Sequence, residues 1–122
     1  DYEKIASKYW PGALTIVVPS SGLGSSFLTS EDFTLGLRIP NLNIAQSLMK
    51  ETGPLLTSSA NISGFTGSIT ASGVALDFPS VEILGPLPWN KGSGKASTII
   101  AWKKSGVWRL IREGDILVKE LH

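Results

Sequence analysis

The chain has 122 residues, 42% of them apolar and 17% charged, with no cysteine and a single histidine at position 122. That composition supports one hydrophobic core, and it excludes disulfides, thiolate metal sites and thiol catalysis. A lone terminal histidine also excludes a histidine-built metal site or a Ser-His triad, so any chemistry must come from Lys, Arg, hydroxyls, Asn, carboxylates, backbone amides or an oxygen-held metal. The net charge of +1 is uneven: residues 1–82 hold four basic and seven acidic side chains (−3), and residues 83–122 hold seven basic and three acidic (+4). A basic C-terminal third suits a phosphate-bearing partner, or is simply a solvated face. No apolar run reaches bilayer length. With no cysteine, the expected location is cytoplasmic and no membrane partner is expected.

Residues 1–9, DYEKIASKY, read as the end of a helix with Ile5 and Tyr9 on one stripe, broken by Pro11-Gly12. Opening without Met inside a helical pattern, the chain is expected to be a fragment. Residues 14–18 are apolar and β-branched and read as a buried strand that Pro19 ends; residues 20–30 read as a Gly/Ser loop. From 33 to 39 the sequence alternates, with Phe33, Leu35, Leu37 and Ile39 against Thr34, Gly36 and Arg38. This predicts a strand with Thr34 and Arg38 on one polar face, closed by Pro40. Asn43 and Gln46 resemble a capping box for a helix running to about Glu51, with Ile44, Ala45 and Leu48 as its buried stripe and Gly53 as its stop.

Residues 54–57 read as another buried strand leading into Ser58-Ser59-Ala60-Asn61-Ile62-Ser63-Gly64. A short helix is expected over 70–78, a strand over 81–84 and a Gly/Pro/Lys loop over 85–96. Residues 97–102 and 107–111 read as a hairpin turning at Lys104-Ser105-Gly106. This mixture predicts an α+β fold: a twisted mixed β-sheet with flanking helices, in a single domain over 1–122.

Several polar groups could carry chemistry. Thr57, Ser58, Ser59, Asn61 and Ser63 follow an expected strand and precede a glycine. Such a turn offers backbone N–H groups and neutral donors for phosphate or carboxylate, or satisfies its own backbone. Arg38, alone on an apolar strand, is either a bidentate clamp for an anion or an edge arginine paired with Glu31 or Asp32. Arg112, before Glu113-Gly114, is either a nucleotide contact or a solvated arginine. Lys91 and Lys95 do not make a phosphate loop, because the required spacing and following helix are missing. Gly22 and Gly24 are equally weak as a dinucleotide signal. Trp10 and Trp108 are expected in the core, and Trp89 is the tryptophan placed to stack on a base.

Taken in order, several segments resemble the YrdC-like family, threonylcarbamoyl-adenylate synthase. They are Trp10-Pro11-Gly12 with Leu14-Thr15, Leu37-Arg38-Ile39-Pro40, Gly53-Pro54-Leu55, Ser58-Ser59-Ala60-Asn61-Ile62-Ser63-Gly64, Ser97-Thr98-Ile99-Ile100 and Ile111-Arg112-Glu113-Gly114. The match runs from about residue 1 to about 116, and the Ser-Ala-Asn-x-Ser-Gly segment is its most specific element.

The resemblance implies a YrdC/RibB-type twisted sheet around a basic groove. It also implies an activity: ATP, L-threonine and bicarbonate give threonylcarbamoyl-AMP and pyrophosphate, with Mg²⁺ accompanying the nucleotide, for threonylcarbamoyladenosine modification of tRNA. By the same resemblance Thr34, Ser59, Asn61 and Arg112 are expected at ATP. Arg38, Thr57 and Ser97 are expected at threonine or its carbamate. No residue is assigned as a chemical catalyst or as a metal ligand. The family's Lys-x-Arg motif belongs upstream of the Trp-Pro-Gly segment, so the expectation is a domain truncated at its N-terminus and inactive or weak alone. Ala13, Ala101 and Thr66-Gly67 depart from the family's usual proline, aspartate and Pro-Ser. Tied to the same fold are two other expectations: a module binding double-stranded RNA or tRNA, alone or with tRNA-modification partner proteins, and a domain of a hydrogenase-maturation carbamoyltransferase.

Overall fold

The computed structural model describes residues 2–20, 34–104 and 106–121. The chain forms two compact units, the first made of Asp1–Gly53 with Ala96–His122 and the second of Pro54–Lys95.

The first unit is built on a four-stranded mixed sheet. Helix α1 (Tyr2–Tyr9) precedes strand β1 (Leu14–Pro19), which is followed by β2 (Thr34–Leu37), helix α2 (Asn43–Thr52), and the hairpin β3 (Thr98–Lys104) and β4 (Val107–Arg112). The strand order is β2-β1-β3-β4. β1 pairs antiparallel with β2 and parallel with β3, and β3 pairs antiparallel with β4. The expected α+β architecture with a mixed sheet is therefore the observed one.

Alternation along β1 and β3 decides which side of the sheet is the core. Leu14, Ile16, Thr98 and Ile100 are fully buried. Ala6 of α1 and Leu121 from the C-terminal segment join Leu14, Ile16 and Ile100, and Ile5, Tyr9, Trp10, Val18, Trp102, Trp108 and Ile116 pack around them. Each fully buried Leu or Ile contributes about 1.5–3 kcal/mol through the water it excludes. Trp10 and Trp108 thus sit where the apolar pattern places them. Tyr2 meets Trp102 edge-on, with ring centroids 6.4 Å apart.

Residues 115–121 carry no periodic signal, yet they close the core. A 3-10 turn at Val118–Glu120 sets Leu121 against Ala6. Tyr9 Oη and Lys8 Nζ both donate to the Glu120 carbonyl, and the Val118 amide donates to Glu113 Oε2 at 2.8 Å.

Helix α2 corrects one expectation. Asn43 is not the cap: Leu42 holds that position with extended backbone and no side-chain bond. Gln46 reaches back to the Pro40 carbonyl at 2.9 Å instead, so the turn leading out of Pro40 competes successfully for the amide. Leu48 also lies outside the expected stripe, at 38% exposure; Ile44 and Ala45 are half-buried. The helix ends at Gly53, whose amide donates to the Met49 carbonyl.

The second unit holds one helix, α3 (Ala71–Asp77), with Val74 buried. Thr70 caps it by accepting from the Gly73 amide at 3.1 Å. The two strands expected here do not form. Residues 54–57 are non-strand and Leu56 is 71% exposed; no described strand lies beside them to complete a ladder. At 81–84 the backbone groups are engaged otherwise. The Val81 amide closes a turn onto the Phe78 carbonyl, with Pro79 at the position that favours such a turn, and Trp89 Nε1 takes the Leu84 carbonyl at 2.9 Å. Among the described residues no helix is long and apolar enough to cross a membrane.

Candidate functional site

If Leu14 and Ile16 point into the core, Thr15 and Val17 occupy the opposite face of the sheet. Gly36 shares that face: a Cβ there would lie 3.4 Å from Thr15 Cγ2 and 3.9 Å from Val17 Cγ2. Leu37 pairs with Ile16 and Thr34 with Pro19. The two-residue period then brings Thr34 and Arg38 to this second face, with Arg38 level with Thr15. Thr34 is half-buried and Arg38 exposed.

Arg38 is fixed by the turn that breaks α1. Its Nε donates to the Gly12 carbonyl at 2.9 Å, and the Gly12 amide donates to the Ile39 carbonyl at 2.8 Å. Residue 12 must be glycine for this clasp, because a Cβ would stand 2.3 Å from the Tyr9 carbonyl oxygen. The Trp-Pro-Gly segment therefore acts as a bracket for the arginine. Glu31 and Asp32, the alternative partners for Arg38, lie outside the described residues.

Arg112 reaches the same face through a bulge. Ile100 pairs with Leu110, Ala101 with Arg109 and Trp102 with Trp108, a regular antiparallel register. Continued unbroken, that register would set Arg112 opposite Thr98, on the core side. The ladder instead slips between Ile99 and Ile100, so Arg112 pairs with Ile99. One extra residue moves a side chain to the other face, and the slip aims the guanidinium away from the apolar core. Its Nε and Nη2 then both donate to the Ser97 carbonyl, at 3.1 and 2.9 Å, and Nη2 also approaches Ser97 Oγ at 3.4 Å.

Ser97, just before β3, is buried and its hydroxyl bonds Thr15 Oγ1 at 2.8 Å. Its neighbour Thr98 uses its full hydrogen-bonding capacity. Oγ1 donates to the Ile116 carbonyl and accepts from the Gly114 and Ile116 amides, which lashes the loop after Arg112 onto β3. Gly114 completes the fit: a Cβ there would lie 2.2 Å from the Ala96 oxygen.

One face of the first unit thus carries Arg38, Thr15, Ser97 and Arg112 in a row across four strands. Both arginines are held by backbone carbonyls, so their charge is not cancelled by those partners and can serve an anion. Among the described residues no group of three His, Asp or Glu is assembled that could hold a metal ion.

The remaining sequence-expected residues belong to the second unit. Thr57 and Ser59 are exposed and Asn61 is half-buried. Asn61 Nδ2 donates to the next residue's carbonyl, at 3.2 Å, and the Phe65 amide closes a turn onto Ile62. Gly64 enters that turn at φ 84°, a conformation glycine takes without steric cost. The turn folds back on itself, since a Cβ at Gly67 would approach the Ala60 carbonyl oxygen to 3.3 Å.

Thr15 and Thr98 were not singled out by sequence reasoning. Thr15 had a usable signal, as the one polar residue inside the run of 14–18. Thr98 entered only within the Ser97-Thr98-Ile99-Ile100 segment and without a role of its own, because that role depends on a loop that returns sixteen residues later.

The sequence profile of the Sua5/YciO/YrdC family, described as telomere recombination, matches residues 1–114. A threonylcarbamoyl-AMP synthase of Pyrococcus abyssi is 38% identical over 77 residues, 62% of this chain and 23% of that protein. A protein of Mycobacterium leprae is 29% identical over 114 residues, 93% of this chain and 51% of its own length. Among solved structures, P. abyssi Sua5 complexed with L-threonine superposes with a TM-score of 0.84 at 30% identity, covering 98% of this chain and 35% of that one. A double variant of the same Sua5 gives 0.85 at 31% identity, over 98% and 36%. The chain spans about half the length, or less, of these relatives.

Proposed function

The chain belongs to the Sua5/YciO/YrdC family, and we propose that it forms the later part of a threonylcarbamoyl-AMP synthase domain. In this reading L-threonine and bicarbonate give the threonine carbamate and water. A carbamate oxygen attacks the α-phosphorus of ATP, and pyrophosphate leaves with the bond that breaks. The product then serves threonylcarbamoyladenosine modification of tRNA.

The observation that carries the proposal is the row of Arg38, Ser97 and Arg112 on the face opposite the core. Joining two anions requires that they be aligned and that developing charge be met by fixed donors. Arginines, hydroxyls and amides do this without a titrating base, which suits a chain with one histidine and no cysteine. Within the first unit, Arg38 holds the carboxylate or carbamate of threonine beside Ser97, and Arg112 and Thr34 meet the nucleotide. Mg²⁺ bound with the nucleotide would supply neutralisation of part of its phosphate charge.

The 122 residues contain no Lys-x-Arg. On the family resemblance the cations of that motif belong to a preceding segment, so this stretch alone releases little pyrophosphate. The test is threonine-dependent pyrophosphate release from ATP and bicarbonate, with this chain and with a chain extended upstream. Release by the extended chain supports the reading, and its failure there under threonine dependence ends it.

A second reading, RNA binding, draws on Trp89, which stays 40% exposed, with Lys91 and Lys95 two and six residues on also exposed. It requires an affinity whose logarithm falls linearly with the logarithm of salt concentration. Filter binding of double-stranded RNA across a salt series measures it, and binding indifferent to salt removes it.

A further inference from the structure

The second face of β1 and β3 is apolar around Thr15: Val17, Ile99 and Ala101 alternate onto it. Valine would fill the Thr15 position equally well, so its hydroxyl is not there for packing. What the hydroxyl does is bond Ser97 Oγ at 2.8 Å, across 82 residues of sequence.

We propose that Thr15 is a positioning residue that fixes the Ser97 hydroxyl between the amino-acid and nucleotide subsites. The inference rests on the reading of Ser97 as a threonine contact and goes one residue beyond it. A serine hydroxyl has one proton and two lone pairs. Arg112 Nη2 takes one lone pair, and Thr15 Oγ1 takes a second valence, as donor or acceptor. One valence remains, and its direction is fixed by the other two. Without Thr15 the hydroxyl rotates freely, and its bond to Arg112 loosens with it. The same three side chains, Thr15, Ser97 and Arg112, thereby link the group that meets threonine to the group that meets ATP.

The test is calorimetric titration of L-threonine into the whole chain and its variants, with thermal unfolding as a fold control. Thr15→Val weakens threonine by roughly 5- to 30-fold, the loss expected for one well-placed hydrogen bond. Thr15→Ser restores affinity to within about twofold, and Thr15→Val on top of Ser97→Ala adds no further loss, because both act through one hydroxyl. Thr15→Ala replaces Thr15→Val if the valine variant unfolds.

Unchanged affinity in Thr15→Val, or fully additive losses in the double variant, overturns the proposal. If the wild-type chain takes up no threonine, the substrate reading of this stretch fails separately. The positioning claim is then judged on the Arg112 Nε–H resonance in ¹⁵N-labelled protein. That signal shifts or broadens in Thr15→Val and returns in Thr15→Ser, and a resonance indifferent to both overturns it.

Discussion

Gly114→Ala tests whether the loop after Arg112 is held against β3 as tightly as the geometry requires. The added Cβ would stand 2.2 Å from the Ala96 oxygen, 2.6 Å from the Ser97 carbonyl carbon and 2.7 Å from the Ser97 oxygen. All three are backbone atoms, so no side-chain rotation relieves the clash. Reaching even a 3.0 Å contact moves the loop by about 0.8 Å, the difference between 3.0 and 2.2 Å. That motion stretches the Gly114 amide bond to Thr98 (2.9 Å), the Ile116 amide bond to Thr98 (3.1 Å) and the Asp115 amide bond to Ala96 (2.9 Å). At about 1 kcal/mol for each bond, the loss is about 2–3 kcal/mol, within the range for overfilling a packed site. Urea unfolding with an unchanged m-value reads it directly. Gly92 is the control, since a Cβ there meets nothing within 4 Å, and Gly92→Ala is expected within about 0.5 kcal/mol of wild type or slightly stabilising. A Gly114→Ala loss below about 0.5 kcal/mol would refute the close approach, and with it the anchoring of Arg112.

Three further outcomes follow from the same contacts. Thr98→Val leaves two amides and a carbonyl without their partner and is expected to lower stability by about 2–4 kcal/mol, with Thr98→Ser recovering most of it in the same urea assay. Leu121→Ala empties a buried core position and is expected to cost about 2–5 kcal/mol, the range for such truncations; differential scanning calorimetry checks it. Arg38→Lys keeps the charge but loses the planar fork and the Nε bond to Gly12. It is expected to weaken threonine about tenfold with a stability change under about 1 kcal/mol, by calorimetric titration and urea unfolding together.

The first unit was legible wherever periodicity and punctuation agreed. Pro11-Gly12 ends α1, and the β-branched run ending at Pro19 is β1; the alternation before Pro40 is β2, cut to Thr34–Leu37 within the described residues. The hairpin was equally plain, because two β-rich runs flank a short Lys-Ser-Gly turn. Legibility failed where an apolar run had no partner strand. Residues 54–57 and 81–84 carry strand-like hydrophobicity, but a strand is stabilised by its neighbours, and none is described beside them. It failed again at residues 115–121, where one buried leucine and a carbonyl shared by Tyr9 and Lys8 do the closing. Such contacts span more than a hundred residues of sequence and leave no local pattern.

Arg112 shows how far a residue's chemistry can depend on a single irregularity in the backbone. Read along β4, Trp108, Leu110 and Arg112 alternate as one set, and Trp108 packs against the core. Strict alternation would therefore send the guanidinium toward Thr98, a fully buried position, where an unpaired charge costs several kcal/mol. The slip between Ile99 and Ile100 removes that conflict and places the charge beside Ser97 on the same face as Arg38. The bulge is thus what makes an arginine tolerable at this end of β4 and, in the same step, what lets it face an anion. Deleting Ile111 removes the extra residue, so the arginine follows Leu110 directly and stays opposite Ile99 in an unbroken ladder. The charge then keeps its face, and hydrogen exchange of the Ile99 and Ile100 amides is expected to slow or stay unchanged; faster exchange with a large loss of stability would show the charge forced toward the core and refute this register.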